Sequence, residues 1–137
     1  MREFLKGVRR IVLKAGTSIL TSEEGFFLKN AISRLGNEIL SIHRSGKEAV
    51  LVSSGAIAFG METLGFKQRP TELKRLQACA AIGQGKLMFA YEEFFSRQGV
   101  HTAQILLTRD GLESRNRSLN AKRTLEDLFL LKVLPIV

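Results

Sequence analysis

Two short segments combine residue types that could do chemistry. The first is Lys14-Ala15-Gly16-Thr17-Ser18. A lysine leaving the C-terminal end of a buried strand projects over a sheet edge, where open α/β sheets bind their ligands. Its ammonium is a compact point charge suited to a phosphate oxygen. Gly16 lets the backbone approach a ligand closely, and the hydroxyls of Thr17 and Ser18 add donors beside the main-chain N–H groups. Lys-x-Gly also occurs by chance, and a surface lysine before a tight turn would read the same way. The second segment is Ser53-Ser54-Gly55-Ala56, where a strand passes into a helix. Free N–H groups and the helix dipole there suit a carboxylate or a phosphate. Serine is equally a favoured helix cap, and a capping serine can also face a ligand.

Other chemistries find little support. No Gly-x-x-x-x-Gly-Lys-Ser/Thr run is present, which excludes a P-loop. His43 and His101 fall in a helix and at a strand start, without partners at metal-ligand spacing, so both read as structural and no metal site is expected. Cys79 sits among alanines in a helical stretch and reads as a small buried residue. A single cysteine favours a reduced, cytoplasmic setting. No apolar run is long enough to cross a bilayer, and Met1-Arg2-Glu3-Phe4-Leu5-Lys6 lacks the apolar stretch of a secretory signal.

The elements that must position the two segments follow from hydrophobic pattern. Arg10–Lys14 and Glu48–Val52 are short apolar runs with β-branched residues and read as buried strands. Between them Leu28, Ile32, Leu35, Ile39 and Ile42 fall on one helical stripe over 28–45, closed by Gly46. A second helix runs from the Ser-Ser-Gly-Ala turn to about Leu64, closed by Gly65. A long helix opens at Pro70-Thr71 and reaches Phe95, with Leu73, Leu76, Ala80, Leu87, Tyr91 and Phe94 inward and with Gly83 and Gly85 as interruptions. His101–Leu107 reads as a third strand, 118–131 as a helix, and 133–137 as a fourth strand. Strand and helix alternating in this way predict a parallel sheet covered on both faces.

In bulk, 137 residues suit one domain, and 45% apolar residues can bury a core. The net charge is +8, from 21 basic and 13 acidic side chains. That surplus could serve RNA, anionic lipid or a phosphorylated substrate. Its densest groups, Arg9-Arg10, Lys74-Arg75 and Lys122-Arg123, have no interleaved aromatics to stack on bases. A solvated helical surface explains them better than a nucleic-acid stripe.

Taken together, five segments resemble the amino-acid-kinase family and, within it, the gamma-glutamyl kinases. They are Ile11–Thr21, Val50–Ala58, Gln77–Gln84 with Leu87, Met88 and Tyr91, Ala103–Arg109, and Leu119–Leu125. Family members acting on acetylglutamate, aspartate or a nucleoside monophosphate share the Lys-x-Gly start but are not expected to carry the later segments. The resemblance implies a three-layer α/β/α sandwich with a mainly parallel sheet. It also implies transfer of the ATP γ-phosphoryl group, with Mg2+, to the side-chain carboxylate of L-glutamate, the first step of proline synthesis. Carried over by position, Lys14 would be catalytic and would contact the ATP phosphates, with Gly16, Thr17 and Ser18 lining that site. Ser54, Gly55 and Ala56 would hold glutamate. Proline as feedback inhibitor and a homo-oligomeric enzyme belong to the same expectation; membrane and nucleic-acid partners do not.

Departures from the family pattern are local. Asp110-Gly111-Leu112 has its acid one place early, and Ser118 stands where an aromatic is usual. The family continues beyond the position of Leu134-Pro-Ile-Val137 into an Asn-Glu-Asn-Asp stretch and a nucleotide-binding half. Residues 1–137 are therefore expected to be the N-terminal, glutamate- and phosphate-facing part of one domain, truncated before its nucleotide-binding half, with little or no turnover in isolation. A kinase with another acceptor and a non-catalytic binding module are the alternatives.

Overall fold

Among the described residues, a sheet of parallel strands forms the centre of the fold. This is a computed structural model, and it describes residues 7–28 and 30–137. Met1–Lys6, the segment lacking a signal's apolar stretch, and Lys29, near the start of the first expected helix, lie outside the described residues. The strands are β1 (Arg10–Lys14), β2 (Glu48–Val52), β3 (Thr102–Gln104) and β4 (Leu134–Ile136), side by side in the order β1-β2-β4-β3. The helices are α1 (Thr17–Leu20), α2 (Ala31–Arg44), α3 (Ala56–Thr63), α4 (Leu73–Ser96), α5 (Arg109–Glu113) and α6 (Arg115–Leu130). Strands β1 and β2 have the expected bounds. The expected third strand shrinks to three residues, because Ile105 makes the last ladder bond, its N–H donating to the Ile136 carbonyl at 2.8 Å.

The two faces of the sheet separate by strand alternation. Ala49, Leu51, Leu134 and Ile136 join Ile32, Ile39 and Leu40 of α2 and Leu87, Tyr91 and Phe95 of α4 in one buried core. On the other face Arg10, in register with Glu48, lies over the Phe129 ring of α6, 4.3 Å from its centroid. Helices thus cover both faces, as the alternating pattern predicts. Central position shows in burial: all of β4 is buried, whereas Arg10, Val12 and Lys14 of β1 are exposed. Pro135 is unusual in an inner strand because it has no N–H to donate. The β2–β4 ladder is accordingly confined to the C-terminal ends, where Val137 N–H donates to the Leu51 carbonyl and Ser53 N–H to that of Val137.

Helix α4 differs from expectation in two ways. It runs unbroken through Gly83 and Gly85, and its buried line is Cys79, Gly83, Leu87, Tyr91 and Phe95, while Leu73 is exposed. Gly83 is a contact residue rather than a break. A Cβ there would stand 1.7 Å from the Ala56 carbonyl oxygen and 2.5 Å from the Gly60 nitrogen. A Cβ on Gly60 would lie 1.9 Å from the Cys79 carbonyl oxygen. The missing side chains let the α3 and α4 backbones touch, which fixes where α3 begins. Phe94, expected inside, is half-buried and fills the space over Gly36 of α2.

Gly83→Ala should therefore destabilise the fold by ~1–3 kcal/mol or more through overpacking, despite alanine's better helix propensity. Gly85→Ala is the control: nothing lies within 4 Å of its would-be Cβ. It should be neutral or stabilising by up to ~1 kcal/mol. Urea unfolding of both variants checks the pair.

Candidate active site

Parallel pairing carries every strand's C-terminal end to one rim of the sheet. Lys14 pairs with Val52, and the Ala15 N–H donates to the Val52 carbonyl at 2.8 Å. The segments that follow, Gly16-Thr17-Ser18 and Ser53-Ser54-Gly55, leave adjacent strands at that rim. Between the ends of β2, β4 and β3, the start of α3 and the middle of α4 lies an open cavity of about 400 Å³. Thr17, Ser53, Ser54, Gly55, Ala56, Arg69, Gln84 and Met88 are among its lining residues.

The turn at its wall is tightly specified. Gly55 is the N-cap of α3, at φ 102° and ψ −3°, a left-handed conformation that side-chain-bearing residues rarely adopt. A Cβ there would also meet Leu20 at 3.4 Å. No serine side chain caps the helix. Of the two roles open to serine in this turn, capping is not the one it plays. Ser54 has no side-chain hydrogen bond among the described residues, is half-buried, and lines the cavity. The first helical bond of α3 runs from Phe59 N–H to the Gly55 carbonyl, so the amides of Ala56, Ile57 and Ala58 precede it. All three residues line the cavity. The arrangement can receive an anion through a hydroxyl and a helix N-terminus.

Ser53 is held from three directions. Its N–H reaches Val137, its Oγ donates to the Ser54 carbonyl at 3.2 Å, and Tyr91 Oη lies 2.8 Å from that Oγ. Tyr91 is fully buried beside Phe95. Loss of hydration pushes its phenol above the ordinary value of 10.0.

The expected phosphate residues are divided by the geometry. Thr17 lines the cavity; Lys14, Gly16 and Ser18 stand outside its lining. Lys14 is exposed and leaves β1 on the Arg10–Val12 side. Gly16 is the N-cap of α1 at φ −70°, with nothing within 4 Å of its would-be Cβ, so open space lies beside it. The expected glutamate residues, Ser54, Gly55 and Ala56, all line the cavity. Sequence reasoning assigned no ligand role to Arg69 and Gln84. Arg69 is the one charged side chain among the lining residues, and it is exposed, with no acid within ion-pair distance among the described residues. Nothing local distinguishes it from other surface arginines. Gln84 carried a readable signal: with Leu87, Met88 and Tyr91 it forms a helical stripe in which it is a polar intruder.

The densest basic groups meet acids at the surface. Arg9 and Arg10 pair with Glu48, Lys74 and Arg75 with Glu72, and Lys122 with Glu126. Such exposed pairs contribute little to stability. Cys79 is a free, buried thiol, as expected. Among the described residues no group of three or more His, Cys, Asp or Glu side chains could hold a metal, and no helix is long and apolar enough to cross a membrane.

Residues 9–137 match the amino acid kinase family. The chain belongs to that family. Its α/β/α architecture with a parallel sheet is the amino-acid-kinase-like fold that the resemblance implied. Within the amino acid kinase family, the chain is 48% identical over all 137 residues to a protein of Aromatoleum aromaticum named glutamate 5-kinase. It is 47% identical over 137 residues to the protein of the same name from Azoarcus sp., and 45% identical over 136 residues to that of Pelobacter propionicus. These matches cover 99–100% of this chain and 36–37% of each relative. The chain thus spans little more than a third of the length of the amino acid kinases it matches.

Because the buried phenol favours its neutral form, stability contributed by Tyr91 should be fully present below about pH 10, the unfolded value. It should fall away as pH rises through the elevated folded value. Unfolding midpoints of wild type and Tyr91→Phe measured from pH 8 to 11 should converge at the alkaline end.

Proposed function

We propose that the protein works as a glutamate 5-kinase, moving the γ-phosphoryl group of ATP to the side-chain carboxylate of L-glutamate. One observation carries the reading: the in-register pairing of β1 and β2 sets the Lys14–Ser18 and Ser53–Ala56 segments beside each other at one rim. The names of the relatives support the same choice of acceptor. Residues 1–137 correspond in this reading to the N-terminal, glutamate- and phosphate-facing part of a single kinase domain.

Phosphoryl transfer asks a protein mainly for alignment and for positive charge where negative charge accumulates. Glutamate would sit in the cavity, with the Ser54 hydroxyl and the first α3 amides donating to one of its carboxylates. Arg69, on the same wall, suits the other carboxylate, since guanidinium binds carboxylate through paired donors. Thr17, a member of the phosphate loop, also lines this cavity and links the two. Lys14, on its exposed strand end, would draw charge from the moving phosphoryl oxygens, with the backbone of Gly16 and Ser18 as further donors. ATP would enter as its Mg2+ complex, the metal travelling with the triphosphate. Proline as feedback inhibitor, a homo-oligomeric enzyme and a cytoplasmic setting accompany this reading.

The test is hydroxamate trapping of the acyl phosphate by the full-length product of the reading frame, with glutamate, acetylglutamate and aspartate as acceptors. Glutamate should be strongly preferred; equal use of another acceptor would overturn the assignment. Lys14→Ala should lower kcat by ~10²–10³-fold, the range for removing one donor to a charged transition state. Ser54→Ala and Arg69→Ala should chiefly raise KM for glutamate, by roughly tenfold or more, as expected for a hydrogen bond to a charged group. Normal kinetics in Lys14→Ala would remove that lysine from the mechanism.

A further inference from the structure

We propose that Tyr91 is a positioning residue for the substrate turn, its phenol hydroxyl fixing Ser53 so that Ser54, Gly55 and Ala56 face the cavity. The direction of the hydrogen bonds follows from the need of a buried phenol to place its one proton. Ser53 Oγ spends its single proton on the Ser54 carbonyl, 3.2 Å away. Tyr91 Oη has no other hydrogen-bond partner among the described residues, so its buried proton goes to Ser53 Oγ, 2.8 Å away. The relay runs from Tyr91 through Ser53 to the carbonyl of Ser54, the residue whose own hydroxyl lines the cavity.

Helix α4 therefore grips this turn at two places. Gly83 holds its far end, because the Ala56 carbonyl sits where a Gly83 Cβ would be. Tyr91, two helical turns further along and fully buried, holds its near end. Ser53 N–H bound to Val137 supplies the third anchor. A turn fixed at both ends presents its donors in one geometry, and preorganised donors bind an anion better than mobile ones.

The kinetic part of this proposal rests on the glutamate-kinase reading, and the test separates the two. Tyr91→Phe removes one oxygen and keeps the ring. In the full-length enzyme it should raise KM for glutamate about three- to tenfold, the range for losing one hydrogen bond. KM for ATP and kcat should stay within about twofold. Ser53→Ala should reproduce the glutamate effect, and the double variant should add little to either single change. Independently of activity, hydrogen exchange of the peptide covering 53–59 should quicken in Tyr91→Phe, while peptides from β1 and α2 stay unchanged. A lowered melting temperature with unchanged glutamate KM would mean a structural role only and would overturn the proposal. Unchanged exchange at 53–59 would overturn it whatever the substrate. Absence of glutamate phosphorylation by wild type would instead strike the kinase reading and leave the exchange comparison to decide this one.

Discussion

The constraint on which the molecule depends is the parallel pairing of β1 with β2. Parallel strands need a crossover between them, here α2, and in return all their C-terminal ends emerge together. A hydrogen bond from Ala15 N–H to the Val52 carbonyl extends the ladder past Lys14, so the two loops separate only beyond the sheet. A slip of one residue would turn either Leu13 of β1 or Ala49 and Leu51 of β2 from the core to the opposite face. Burial of those side chains therefore fixes the register, and the register fixes which loop residues can meet.

A second constraint acts at right angles to the sheet. Helix α3 presents its N-terminus to the cavity only because α4 lets it come close. Gly60 lies on the Cys79 carbonyl and Gly83 on the Ala56 carbonyl. Gly55 completes the arrangement by turning the chain through a left-handed conformation between β2 and α3. One wall of the cavity is backbone held by small residues, and Leu87, Met88, Ile105 and Ile136 add an apolar lining. The backbone wall suits a ligand recognised through amides and the Ser54 hydroxyl.

Much of this was legible in the residues. Arg10–Lys14 and Glu48–Val52 were readable to the residue, because short β-branched runs bounded by glycine and charge have few alternatives. The stripe of Ile32, Leu35 and Ile39 was readable for the same reason in helical period. What escaped reading depends on contacts remote in sequence. Gly83 looked like a helix break by propensity and is a helix contact by packing. Ile105-Leu106-Leu107 looked like strand, yet it leaves the sheet to line the cavity, with Leu106 largely exposed. The four-residue α1 and five-residue α5 are too short to carry a periodic signal. Arg69 became notable only when the fold placed it on the cavity wall with serines and amides.

The central claim is that the lysine loop and the serine turn serve one reacting pair. A double-mutant cycle between Lys14→Ala and Ser54→Ala, read as kcat/KM for glutamate in the full-length enzyme, tests it most directly. One shared transition state predicts a coupling of at least ~0.5 kcal/mol between the two changes. Losses that add to within ~0.3 kcal/mol would mean independent sites and would contradict the account.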